Sequence, residues 1–356
     1  MGGPESPTLA RVLVTGGQGF IGAYVIRELL RRGSEVTMMD LKEAPHILKQ
    51  VLSDEERSRV RCVHADITDA AAVRDLVLAA SPTAVVHLAG MQIPLVKGNP
   101  GLGAAVNVIG TINVFEAVRA LSETANGAPA VPVVYASSAA VLGPSSDYGP
   151  AGAALPAEQH PHRPRTLYGV LKLCNEGTAR LYWQDHRVPS AGLRPLTVFG
   201  VGREVGLTSA STKAVKAAIL GRRFECQVTG VTGFQYVVDV ARLFVEAAEG
   251  AARAGGAHVC GLRGHVASHE GFLREAERAV PALASLASVA PGAAEVPIHA
   301  DVDESPLQAL VGRKDLHMPL AEAVAEMAAD FGALKLRGLL QDDDLGPEPG
   351  KPAAKL

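Results

Sequence analysis

Cysteine is scarce in this sequence. Four stand in 356 residues, at Cys62, Cys174, Cys226 and Cys260, with no C-x-x-C pair. That excludes a dense disulfide framework and reads as reduced thiols, which implies a cytoplasmic protein. Neither sign of charge is in marked excess. Lys and Arg number 34 against 37 Asp and Glu, a formal net charge of −3. Nucleic acid is therefore not expected as a partner, because phosphate binding needs a clustered excess of cations. Met1 to Leu9 has no basic segment followed by an apolar one, so no signal peptide is expected. No apolar run approaches the ~18–20 residues needed to span a bilayer, so no membrane is expected either. What is present is ample: 47% of residues are hydrophobic and 20% charged, enough apolar surface for a large core. The 37 glycines and 23 prolines follow no collagen period, and there are no internal repeats.

The first half alternates β-branched runs with helical periodicity. Strands are predicted at Arg11–Thr15, Glu35–Asp40, Val60–Ala65, Ala84–Ala89, Val131–Ser137 and Ser190–Arg194. Helical patterns lie between them, at about 21–32, 70–80, 104–121 and 167–186. This alternation implies an α/β fold: a Rossmann-type, doubly wound parallel sheet with a smaller C-terminal substrate-binding lobe. The predicted divisions are a flexible N-terminus over 1–10, a dinucleotide-binding domain over 11–194 and a mainly substrate-binding lobe over 195–340. A disordered tail is predicted over 341–356. The lobe carries helical patterns at Ser209–Leu220, Val240–Ala252, His269–Val280 and Leu320–Phe331. Gly143 to Arg165 reads as a long functional or mobile loop.

Thr15-Gly16-Gly17-Gln18-Gly19-Phe20-Ile21-Gly22 sits between the first strand and first helix. In that context G-x-G-x-x-G reads as a dinucleotide site. Glycines let the backbone approach a pyrophosphate, and the helix start offers free N–H groups. Asp40 ends the second strand, where a carboxylate accepts from a ribose diol and repels a 2′-phosphate, favouring NAD over NADP. Lys42 close by weakens that preference. Asp66 and Ile67 are placed near the adenine, and Leu88, Ala89 and Gly90 under the cofactor's path. His87 reads as a hydrogen-bonded core residue.

Tyr168 and Lys172 lie four apart on a predicted helix and so share a face. A nearby ammonium favours the phenolate, and a Tyr so poised exchanges a proton with a substrate alcohol. Ser137 and Ser138 end the fifth strand, where a hydroxyl can orient the reacting oxygen. His160 and His162 lack the supporting ligands of a metal site, and no metal is expected.

These residues together resemble the extended short-chain dehydrogenase/reductase superfamily, in its NAD-dependent epimerase/dehydratase branch. The resemblance runs from about Arg11 to Phe331 and rests on T-G-G-Q-G-F-I-G, Asp40, Asp66, H-L-A-G, Asn107, S-S-A-A-V-L-G, Y-G-V-L-K and L-R-P-L-T-V-F-G. It implies a Ser138, Tyr168 and Lys172 triad and NAD held by Gly16, Gly19, Phe20, Ile21 and Gly22. It implies that Lys172 also holds the nicotinamide ribose, that Pro195 contacts the nicotinamide side, and that Asn107 is structural. It further implies a homodimer through the helices bearing Asn107 and Tyr168. The candidate substrate contacts are Gln92, Ser138, Ala139 and Arg203.

Three positions depart from the family pattern. Ala139 and Ala140 stand where dehydratases carry Asp-Glu, which argues against water elimination. Thr232 stands where nucleotide-sugar enzymes carry a diphosphate-binding Arg. Leu142 replaces an aromatic, which suggests a reshaped pocket. Arg163, Arg165 and Arg203 offer carboxylate binding instead, and Arg203 with Arg222 and Arg223 could alternatively serve a diphosphate. Cys174 is expected to pack in a helix interface. Thr208, Ser209 and Ser211 offer hydroxyls near a substrate wall, or caps for a helix start. The expected activity is NAD-dependent hydride transfer from a hydroxyl carbon of a small sugar, sugar-acid or polyol-type substrate. The alternatives are a nucleotide-sugar epimerase retaining NAD and a non-catalytic nucleotide-binding protein.

Overall fold

The computed structural model describes residues 9–347 and 349, apart from 125–129, 149–161 and 207. Strands β1 (Arg11–Thr15), β2 (Glu35–Asp40), β3 (Val60–His64), β4 (Ala84–His87), β5 (Val133–Ala136) and β6 (Ser190–Arg194) fall where the apolar runs place them. Three short strands follow: β7 (Thr197–Phe199), β8 (Phe224–Thr229) and β9 (Val231–Tyr236). β10 (Ala257–Gly261), β11 (His265–Ser268) and β12 (Ala287–Glu295) complete the set. The main sheet has seven strands in the order β3-β2-β1-β4-β5-β6-β10, each pair parallel. The order reverses between β1 and β4, and a crevice opens there at the carboxyl edge.

Period-two alternation divides the sheet's side chains between two cores. Val12 and Val14 of β1 and Val86 of β4 join one cluster, while Leu13 and Val85 join the other. Both faces are therefore covered by helices at the sheet's centre, and the central strands are apolar at successive positions, whereas the edge strand β3 has no buried residue. The helix Phe20–Arg31 packs on one face with Val237–Ala254; Ala70–Ala80 and Gly110–Thr124 pack on the other.

β10 lies beyond residue 194 and completes the main sheet, so the region after 194 contributes to that sheet as well as to the smaller lobe. The structure departs from the sequence reading in three places. The tail begins as ordered chain. Leu345 is buried, Lys216 Nζ meets Asp344 Oδ1 at 2.6 Å, and Arg222 Nη2 donates to Gly346 O at 2.6 Å. These cations on and after the helix Ala210–Leu220 hold residues that composition alone assigns to disorder; residues 351–356 lie outside the described ones. The predicted helix 104–121 is longer and broken in register, with Pro100–Ala104, a π-helical turn at Ala105–Ile109, and Gly110–Thr124. Taken together, Pro100–Thr124 is long and apolar enough to cross a membrane, contrary to the expectation above. Its buried face carries Asn107, Thr111 and Asn113, each hydrogen-bonded inside the protein, which accounts for it as a core helix.

One buried side chain sets a pH dependence. His87, on β4, bonds Thr15 Oγ1 through Nδ1 at 2.7 Å and Thr111 Oγ1 through Nε2 at 3.1 Å, as a core histidine should. Burial, assisted by the Lys172 charge, pushes its pKa down to about 3. Between about pH 6.5 and 3 the unfolded chain binds a proton that folded His87 does not. Stability is therefore lost as pH falls through that window, by up to ~1.4 kcal/mol per pH unit. Denaturant unfolding at pH 7 and pH 5 should differ less for His87→Gln than for the wild type. Equal differences would rule out His87 as the source.

Candidate active site

The turn after β1 is built for close approach. Gly16 has φ +69°, and a Cβ there would lie 2.6 Å from Ala89 N; one on Gly22 would strike Gly16 O. The loop thus lies directly on the chain leaving β4. Gly19 caps the helix Phe20–Arg31 with no side-chain hydrogen bond, which leaves the first N–H groups facing the crevice. Asp40, at the end of β2, accepts from Gln18 N at 3.0 Å and Leu41 N at 2.9 Å, and so fastens the loop to the second strand. An uncapped helix start, a loop with no room for side chains and a carboxylate at the tip of β2 fit a dinucleotide's pyrophosphate and ribose.

The crevice opens into a cleft of about 260 Å³. Gly16, Gly19, Phe20, Ile21 and Gly22 line one side; Leu88, Gly90 and Gln92 the floor; and Ser138, Tyr168, Lys172, Pro195 and Arg203 the far side. Five expected residues are not in this lining. Asp40 stands behind the loop. Asp66 is exposed, accepting from Thr68 N and Oγ1, while Ile67 is buried under Gly110 with its carbonyl taken by Asn113. Ala89 supports Gly16 from below. Ala139, expected at the substrate, is buried in a small cluster with Val141, Leu142 and Leu196, and Ala140 takes its place in the wall. Leu142 lies in that same cluster, behind the pocket it was expected to reshape.

The helix Leu167–His186 begins at Thr166, whose Oγ1 accepts from Gly169 N at 3.1 Å. Gly169 lets the helix press against the turn Ala139–Val141, since a Cβ there would collide with Ala140 O. Tyr168 is thereby brought to the same cleft wall as Ser138, whose hydroxyl accepts from Ala140 N at 3.1 Å. Lys172 is buried and donates to Ala136 O at 2.7 Å, with Nζ 5.6 Å from the Tyr168 ring centroid. Burial pushes its pKa down to about 8. Burial raises the Tyr168 phenol above its usual value, and the Ser138 hydrogen bond and the Arg203 charge pull it back.

Below the cleft, Glu176 pairs with Arg194, Nη2 to Oε2 at 2.7 Å, and both side chains are almost wholly buried. Ser137 Oγ donates to the same carboxylate at 2.5 Å. Asn107 Oδ1 accepts from Met91 N at 2.8 Å and its Nδ2 donates to Met91 O at 3.0 Å, so the π-helical turn holds the strand-end loop.

The other candidates have different partners. Arg165 makes a two-point contact with Asp147, and Arg163 donates to Asp147 O; neither lines the cleft. Thr208 lines it, whereas Ser209 bonds Gly206 O and Ser211 bonds His269. Thr232 is buried on β9 against Thr197. Arg222 is engaged by the tail segment. His160 lies outside the described residues, and His162 Nε2 sits 2.7 Å from Arg194 Nη2. Cys174 is exposed, not packed in an interface within the chain. Sequence reasoning missed Val296 and Ile298, which reach the cleft from beyond β12, and Met91, Ile93 and Pro94 on its floor. Apolar residues far along the chain carry no local signal of such a role. The Glu176–Arg194 pair was equally silent.

A doubly wound parallel sheet with a glycine turn at its switch point, faced by a Tyr/Lys helix, defines a nucleotide-binding protein of the short-chain dehydrogenase type. The chain belongs to the NAD dependent epimerase/dehydratase family, whose model matches residues 12–261. It is 33% identical over 201 residues to UDP-glucuronate 4-epimerase 5 of Arabidopsis thaliana, covering 55% of this chain and 44% of that one. It is 28% identical over 243 residues to UDP-glucose 4-epimerase of Mycolicibacterium smegmatis, covering 67% and 72%. The chain thus spans less than half the length of the plant relatives. Among solved structures, it resembles Thermus thermophilus UDP-glucose 4-epimerase in complex with NAD, with TM-score 0.73, 23% identity and coverage of 90% and 98%. It also resembles a partial consensus L-threonine 3-dehydrogenase, with TM-score 0.76, 21% identity and coverage of 91% and 99%. The family's NAD dependence agrees with the cofactor expected from the glycine turn and Asp40.

Proposed function

We propose that the chain is an NAD-dependent dehydrogenase acting on a small hydroxylated substrate of the sugar, sugar-acid or polyol type. Tyr168 takes the proton of the substrate hydroxyl, Ser138 orients that oxygen, and Lys172 sits beneath with its charge toward the ring. NAD held at the glycine turn would supply the acceptor for the hydride from the same carbon, so that the alcohol would become a carbonyl. The glycine turn and Asp40 hold the cofactor. The observation that carries this reading is the cleft's supply of charge: its only Lys or Arg residues among the described lining are Lys172 and Arg203, and Lys172 is engaged with Ala136. Beyond the glycine turn taken by the cofactor, the described lining thus offers a substrate diphosphate at most one free guanidinium for the strong, two-point contact such groups favour. Ala139 and Ala140 leave no acid or base for dehydration.

The second reading is a nucleotide-sugar epimerase, favoured by the names of the plant and mycobacterial relatives. Melting NAD-saturated protein with UDP, dTDP or GDP separates the two. A ligand bound only by the folded state raises the melting temperature by mass action. The dehydrogenase reading expects no rise with any of the three and NADH formation with a small substrate. A clear rise with one nucleotide would put the epimerase first.

A homodimer is part of the proposal. Leu167, Val170, Cys174 and Leu181 are exposed along one stripe of their helix, with exposed Leu102 and Ile109 beside it. Such a stripe suits an isologous helix-to-helix contact, which would cover Cys174. Sedimentation of Ile109→Glu with Val170→Glu should give a monomer; an unchanged dimer would place the contact elsewhere. The four free thiols fit a reducing compartment such as the cytoplasm.

A further inference from the structure

Of the two cations in the described lining, Lys172 is bonded to a backbone carbonyl, and Arg203 has no carboxylate partner among the described residues. Arg203 makes a single hydrogen bond among the described residues, from Nη2 to Thr208 Oγ1 at 3.1 Å, and its Nε is buried with no partner. The neighbouring carboxylate is turned away: Glu204 bonds His46 Nε2 at 2.9 Å and Gln50 Nε2 at 3.4 Å. Phe20 lies under the guanidinium, 5.8 Å from its ring centroid. Across Gly206, the Arg203 Nη2 and the Gln92 Oε1 come together, since a Cβ there would lie 2.9 Å from one and 2.7 Å from the other. Burial lowers the guanidinium's pKa only to about 10, so it keeps its charge at neutral pH. A buried charge without a counter-ion is costly, and the cost is recovered when a ligand supplies one.

We propose that the substrate is a hydroxy acid whose carboxylate docks on Arg203, with the reacting hydroxyl on a nearby carbon at Ser138 and Tyr168. The inference rests on the dehydrogenase reading and narrows it. A planar carboxylate matches the guanidinium fork, which still has free donors at Nε and Nη1. A phosphate or diphosphate would bring more negative charge than one free cation offsets, against the apolar wall of Leu196, Val198, Val296 and Ile298. Arg203 lines the same cleft as Ser138 and Tyr168, so an anion held there shares that cleft with the reacting hydroxyl. Gln92 and Thr208 remain for further hydroxyls on the same substrate.

The test compares wild type, Arg203→Gln and Arg203→Lys as full chains with NAD. The panel is short hydroxy and aldonic acids, each paired with the polyol bearing CH2OH in place of the carboxylate. NADH absorbance reads turnover, and melting of NAD-saturated protein with malonate reads anion binding. Equal NAD binding by all three proteins shows that the variants fold. Acids should be oxidised and their polyols not, and Arg203→Gln should raise KM for an acid by about 30- to 100-fold, the scale of a lost charge-assisted hydrogen bond. Malonate should stabilise the wild type and not Arg203→Gln, with Arg203→Lys between them. Polyols oxidised as well as acids, or a KM unmoved by Arg203→Gln, overturns the carboxylate assignment and leaves the dehydrogenase standing. No acid oxidised and no malonate stabilisation also overturns the assignment. Interconversion of a UDP-sugar without net NADH overturns both readings.

Discussion

Tyr168→Phe is expected to lower kcat by about a thousandfold, while NAD affinity stays within a few-fold of wild type. On the proposed reading the phenol takes the substrate proton, and Ser138, Arg203 and the Lys172 ammonium, 5.6 Å from the ring, line the cleft with it. General acid–base catalysis is typically worth ~10²–10⁴-fold, and Phe keeps the ring while deleting the hydroxyl. NADH formation reads the loss, and quenching of protein fluorescence by NAD reads the binding. Turnover within tenfold of wild type would give the proton to another group. A biological role untouched by the change would favour a binding module on the same fold.

The second large effect lies beneath the site. Glu176→Ala removes the counter-ion of Arg194, whose side chain is 2% exposed, and strands Ser137 Oγ as well. Breaking a buried pair by deleting one partner costs roughly 3–5 kcal/mol, because the remaining buried charge loses its two-point carboxylate contact. Urea unfolding at neutral pH should show that loss. Glu176→Leu with Arg194→Met, which removes both charges and keeps the volume, should recover most of it. A loss below about 1 kcal/mol for the single variant would mean that the pair adds nothing beyond its surroundings. Ser137 lines the cleft beside Ser138, so the single variant should also lower kcat in the fraction that remains folded.

Local order in the sequence was sufficient for the frame of the fold. Each β-branched run between Arg11 and Arg194 became a strand of one parallel sheet, because residues buried on both faces must be apolar in sequence. The glycine turn was legible for a similar reason: steric crowding admits only glycine, so the requirement is written at the position itself. Tyr168 and Lys172 were legible because four residues on a helix keep two side chains on one face.

What the sequence could not express is which distant groups meet. β10 joined the main sheet from beyond residue 254, Val296 and Ile298 closed the cleft, and Asp344 came to rest on Lys216. Arg163, Arg165 and Arg203 were equivalent as sequence. The folded chain gave the first two to Asp147 and left the third, in the cleft with Tyr168, without a carboxylate among the described residues. Sequence determined this protein's elements and its cofactor turn, because those depend on neighbours a few residues apart. Tertiary structure alone decided which charges were neutralised and which, among the described residues, were left without a partner, because electrostatic partners are chosen by distance in space.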